Sequence, residues 1–61
     1  MLKVKLRRES LGMSQEELAA KAGVSRQTIS YLETGAKTAL STTLIKVADA
    51  LDTTVDELIA D

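Results

Sequence analysis

The sequence contains no cysteine, no histidine and no proline, and its only aromatic residue is one tyrosine. Each absence excludes something. Without Cys there is no disulfide framework, and without Cys or His there is no ordinary zinc site. Hydrolysis or group transfer would then fall to Ser, Lys, Asp and Glu. No G-x-S-x-G elbow, P-loop or spaced carboxylate pair organises those residues, and the Ser and Thr stand where helices begin. No enzyme activity, metal or cofactor is expected. No apolar run approaches the roughly 20 residues of a membrane span, and MLKVKLRRES lacks the apolar core of a signal peptide. The absence of Pro, with only three Gly, favours helix throughout. With no Phe or Trp, the core must come from Leu, Ile, Val, Ala and Met.

The 61 residues make one expected domain, 1–61, near the lower limit for folding without a staple. Net charge is −1, yet its distribution is uneven. Residues 1–48 hold all eight Lys and Arg and carry +4, while 49–61 carry −5. That asymmetry points to one basic surface and an acidic far end.

The centre of the chain is QEELAAKAGVSRQTISYLE, residues 15–33, with the whole motif at about 14–34. Leu18, Ala19 and Ala22 lie on one face of a first short helix. Ser14 precedes it with Glu17 three residues on, a capping box, and Met13 is placed to staple onto Leu18. Gly23 suits the left-handed residue that ends this helix. Ser25 then caps a second helix, with Val24 and Ile29 as its staple. Ile29 and Leu32 face inward, whereas Arg26, Gln27, Ser30, Tyr31 and Thr34 fan across the other side. The small Ala19 allows the two helices to approach at the steep angle of a helix-turn-helix.

On either side the pattern stays helical. Residues 2–11 read as helix 1, with Leu2, Leu6 and Leu11 as its apolar stripe and Lys3, Lys5 and Arg7 on a solvated face. Helix 4 is expected to start with Ser41 as N-cap and Leu40 stapled to Ile45, then run to about Leu51. Leu44, Val47, Ala48 and Leu51 form its buried face. Thr54 with Glu57 reads as another capping box, opening a short helix 5 through Ile59.

The stretch GMSQEELAAKAGVSRQTISYLETG, residues 12–35, resembles the helix-turn-helix of the Cro and lambdoid-phage-repressor family, the XRE family of bacterial regulators. Gln15, Leu18, Ala19, Gly23, Val24, Ile29, Leu32, Glu33 and Gly35 carry the resemblance. It implies an all-α, compact five-helix domain of the lambda-repressor type, with the motif at helices 2 and 3. It also implies an ion pair between Arg8 and Glu33, which the sequence supports independently. On a helical wheel Glu33 lies at the edge of the buried side, where an unpaired carboxylate is costly. Relatives commonly have Pro and a capping Ser before helix 4, where this chain has Ala39-Leu40-Ser41.

For DNA, the first turn of helix 3 offers Arg26, which can fork onto guanine, and Gln27, which can fork onto adenine. Ser30 and Tyr31 lie one turn on, and the resemblance implies base contacts from all four positions. It implies a phosphate contact from Gln15 at the start of helix 2, where free amides suit an anion. Thr34, Lys37 and Thr38 are placed to clamp the backbone from the other side. Leu58 and Ile59 are adjacent and point about a third of a turn apart. One of them is a candidate dimer contact, because relatives often pair through this region. The leading reading is thus a sequence-specific repressor of transcription, cytoplasmic, binding double-stranded DNA as a homodimer on a two-fold site. No membrane or small-molecule ligand is expected. The alternative is a protein-interaction module, such as an antitoxin that binds a toxin, supported by the acidic C-terminal stretch.

Overall fold

In the computed structural model, residues 3–34 and 41–59 are described. They form α1 (Val4–Ser10), α2 (Gln15–Ala22), α3 (Arg26–Thr34), α4 (Ser41–Ala50) and α5 (Val55–Leu58). α2 packs against α3 and α4, α4 against α5, and α1 against α3. The fold is all-α, and each helix contributes to one apolar cluster. Val4, Leu18, Ile29, Val47, Leu51 and Leu58 are its fully buried large side chains. Ala19 and Ala22 are buried between them, which keeps α2 close to its neighbours. Met13, Val24 and Val55 close the edges of the cluster.

Helix starts follow from local hydrogen bonding. Ser14 Oγ accepts from the Glu17 amide at 3.0 Å and the Glu17 carboxylate accepts from the Ser14 amide at 2.9 Å, a reciprocal capping box. Ser25 Oγ accepts from the Thr28 amide at 3.1 Å at the start of α3. At α5 the arrangement is only half a box. Thr54 Oγ1 accepts from the Glu57 amide at 3.3 Å, but the Glu57 carboxylate accepts instead from the Thr53 hydroxyl at 3.0 Å. The neighbouring hydroxyl captured the carboxylate that the sequence reading assigned to the Thr54 amide.

Three helices end alike. After α2, Gly23 is left-handed at φ 71°, with the Gly23 amide bonded to Ala20 O and the Val24 amide to Ala19 O. After α1, Gly12 is left-handed at φ 70°, with the Gly12 amide on Glu9 O and the Met13 amide on Arg8 O. After α4, Asp52 takes φ 56°, with its amide on Asp49 O and the Thr53 amide on Ala48 O. These paired bonds satisfy carbonyls that a helix end otherwise leaves open. The hydrophobic residue that accompanies this motif is Val24 after α2 and Met13 after α1, both packed on the core.

The first helix differs from its expected form. It spans Val4–Ser10 instead of 2–11, and it buries Val4. Leu6 is 66 % exposed and Leu11 46 % exposed, so the expected stripe does not face the core, and Leu2 lies outside the described residues. The reason is the way α1 docks. The Lys3 amide donates to Leu58 O at 2.7 Å, fixing the N-terminal end of α1 against α5 and turning Val4 inward. Arg7 is likewise not a merely solvated charge. Its Nε donates to Leu51 O and its Nη2 to Asp52 O, both at 3.2 Å, so the guanidinium caps the C-terminal end of α4. Ser41 already lies within α4 instead of ahead of it. Leu40, and with it the expected staple to Ile45, lies outside the described residues, as do Gly35 and Ala39.

Candidate nucleic-acid interface

The outer side of α3 is built from its inner side. Ile29 is fully buried and Leu32 nearly so, which fixes the helix axially and rotationally. At 3.6 residues per turn, that leaves Arg26, Gln27 and Tyr31 facing water. Tyr31 is 57 % exposed, so the chain's only aromatic ring serves a surface and not the core. Ser30 is half-buried. Arg26 and Gln27 occupy the first turn of α3, beside the first turn of α2.

The far end of α3 is tied down by a polar junction. Arg8 Nε donates to Glu33 Oε2 at 2.6 Å and Arg8 Nη2 to Glu33 Oε1 at 3.1 Å, a two-pronged pair with the Glu33 side chain 1 % exposed. Arg8 Nη1 donates to Met13 O at 2.7 Å, adding the α1–α2 turn to the junction. Gln15 Nε2 donates to Glu33 Oε1 at 2.9 Å and brings in the start of α2. Burial alone raises the Glu33 carboxyl, but the hydrogen bonds from Arg8 and Gln15, with the Arg8 and Lys5 charges, outweigh it and hold it below the ordinary carboxylate range. The hydrogen bond to Glu33 raises Arg8 further above its already high value, against the opposing effect of burial.

The expected phosphate contacts fare differently. Gln15 is half-buried and its amide is turned to Glu33, which leaves its second amide hydrogen and its backbone N–H for an anion. Thr34 is exposed, but its hydroxyl donates to Ser30 O at 2.8 Å. As it stands it offers a phosphate oxygen no hydrogen, so that contact requires the intrahelical bond to open. Lys37 and Thr38 lie outside the described residues. At the other end of the molecule, Leu58 is 1 % exposed and belongs to the core, which removes it as a dimer contact. Ile59 is 50 % exposed and keeps an apolar surface there.

The sequence reading missed one neighbour of the α3 strip. Glu16, in the first turn of α2, places Oε2 3.7 Å from Arg26 Nε, with both side chains largely exposed. The two residues are ten apart and on different helices, so no local pattern marks the pair. An acid at the start of α2 is explained equally well by the helix dipole.

No described helix is long and apolar enough to cross a membrane, and among the described residues no group of acidic side chains is placed to hold a metal ion. No solved structure shows a significant match to the chain. A family model described as helix-turn-helix matches residues 4–58, which takes in all five helices. With α2 and α3 joined at a left-handed Gly23 and α3 presenting a polar outer strip, the chain belongs to the XRE family of helix-turn-helix domains, a family of DNA-binding transcriptional regulators.

Proposed function

We propose that this protein is a sequence-specific regulator that represses transcription by occupying a two-fold operator as a homodimer, with α3 in the major groove. The supporting observation is the outer strip of α3, with Arg26, Gln27 and Tyr31 exposed on a helix whose underside is locked by Ile29 and Leu32. The major groove accommodates a helix and displays a different donor and acceptor pattern for each base pair. Arg26 is suited to guanine O6 and N7, and Gln27 to adenine N6 and N7. Ser30 contacts a base edge, and Tyr31 packs against a thymine methyl with its hydroxyl directed to the backbone. Gln15, Lys37, Thr38 and a rotated Thr34 hold the phosphates, contacts that position the protein without reading sequence. One small domain covers few base pairs, and a second copy about one helical turn away supplies the missing length and affinity. Ile59 is the side chain proposed for that pairing. Such a role places the protein in the cytoplasm with the DNA it controls.

The test is selection of bound duplexes from a random DNA pool, followed by titration at two salt concentrations. A two-fold consensus with affinity falling steeply as salt rises supports the proposal. Gln27→Ala should change the preferred sequence, whereas Lys37→Ala should weaken binding to every sequence and lower the salt slope by about 1. An unaltered consensus in Gln27→Ala would remove α3 as the reader. A second reading, a protein-interaction module, draws on the exposed Leu6 and Ile59 and on the acidic C-terminal stretch. It predicts no DNA binding at either salt concentration.

A further inference from the structure

We propose that Glu16 is a positioning residue for Arg26 and thereby helps to determine which base pair the start of α3 prefers. The inference deepens the reading of α3 as the DNA-contacting helix and rests on it. Glu16 Oε2 sits 3.7 Å from Arg26 Nε. The contact is therefore to the Nε edge of the guanidinium. The closest approach is at Nε, and the two terminal nitrogens, Nη1 and Nη2, make no hydrogen bond among the described residues. Those are the two donors that can meet guanine O6 and N7 side by side. Once docking strengthens the pair, a carboxylate near the Nε edge restricts rotation of this long side chain while leaving its reading end open.

In free solution this pair does little. The side chains are 63 % and 65 % exposed, and exposed ion pairs are screened by water and salt. Docking on DNA changes that balance. Water leaves the space between α2, α3 and the groove, the effective dielectric falls, and the attraction between Glu16 and Arg26 strengthens. Glu16 is at the same time a negative charge carried toward a polyanion. It therefore opposes binding to any duplex while favouring the one base pair that fits a docked Arg26. Among the described residues no other acid has this position. Glu17, the other acid in the first turn of α2, is engaged by the Ser14 amide, and Glu33 is buried under Arg8.

These opposed effects give the proposal a distinctive signature. The experiment compares the full chain with Glu16→Gln on three duplexes: the selected operator, the operator altered only at the base pair whose preference Arg26→Ala abolishes, and a random duplex. Glu16→Gln should bind the random duplex about two- to five-fold more tightly, because one repulsive charge has gone. Discrimination at the Arg26 base pair should fall about three- to ten-fold, and discrimination elsewhere should hold. In an Arg26→Ala background, Glu16→Gln should leave discrimination at that base pair unchanged. Equal tightening on all three duplexes would overturn the proposal, since Glu16 would then be only a repulsive charge. Loss of discrimination at every position with a lowered melting temperature would overturn it too, by exposing a structural role. A parent chain with no sequence preference would refute the reading of α3 itself, a result distinct from a preference that Glu16→Gln leaves intact.

Discussion

Removing Arg8 should reverse the sign of Glu33's contribution to the pH dependence of stability. In the intact protein Glu33 is held below the ordinary carboxylate range by Arg8 and Gln15. A lowered folded-state pKa means that the unfolded chain binds the proton more readily. Its stabilisation is thus fully present above about pH 5 and is lost as pH falls through the depressed folded value. In Arg8→Ala the carboxylate, 1 % exposed in the parent, is left with only Gln15 as a side-chain donor, and Met13 O loses the guanidinium. Burial then raises the carboxyl above its unfolded value, so stability falls as pH rises from about 4 toward neutrality. Breaking a buried pair from one side costs about 3–5 kcal/mol, against a total of about 3–9 kcal/mol for a chain of this size. Glu33→Ala should cost less, because Arg8 is 11 % exposed and can turn its charge toward water. The double variant should recover part of the sum, with a coupling of about 1–3 kcal/mol. Urea unfolding followed by helix circular dichroism at pH 7 and pH 4 measures all of this. The gap between the parent and Arg8→Ala should narrow at pH 4. Small, additive losses, or a gap independent of pH, would refute the account of the junction.

Arg7→Ala should cost about 1–2 kcal/mol by opening the carbonyls of Leu51 and Asp52, and Arg7→Lys should recover only part, since an ammonium lacks the fork. Gly23→Ala should cost about 1–2 kcal/mol from the left-handed backbone alone, because an added Cβ meets nothing within 4 Å; Gly23→Asn should recover much of it in thermal melts. Asp52→Gly, at φ 56°, should stabilise by about 0.5–1 kcal/mol, also relieving a negative charge at a helix C-terminus. Leu58→Ala should destabilise by about 2–5 kcal/mol and Ile59→Ala by little, while only Ile59→Ala should weaken self-association in sedimentation without unfolding the monomer.

What the sequence revealed depended on how far apart the interacting groups lie. The caps at Ser14 and Ser25 and the left-handed turn at Gly23 are local, and their residue types name their geometry. The faces of α2, α3 and α4 were legible because Leu18, Ile29, Leu44 and Val47 repeat at helical spacing. α1 is seven residues long, too short for periodicity to outvote where it docks, so Val4 took the place expected of Leu6. Arg7 reaches carbonyls 44 and 45 residues away, and a bond to a carbonyl leaves no side-chain signature to read. On the outer side of α3, exposure of Arg26, Gln27 and Tyr31 followed from Ile29 and Leu32, whereas Gln15 and Thr34 were already engaged by partners in the fold.

The junction at Arg8, Glu33 and Gln15 has a consequence for how such a protein can be altered. It sets the tilt of α3 from behind, and none of the outward side chains on that helix takes part in it. On the proposed reading, aim and vocabulary are therefore separable properties: Arg26, Gln27 and Tyr31 can be exchanged as a cassette while the scaffold continues to point them in the same direction. A damaged junction would do the reverse, leaving the lettering intact and the pen unsteady.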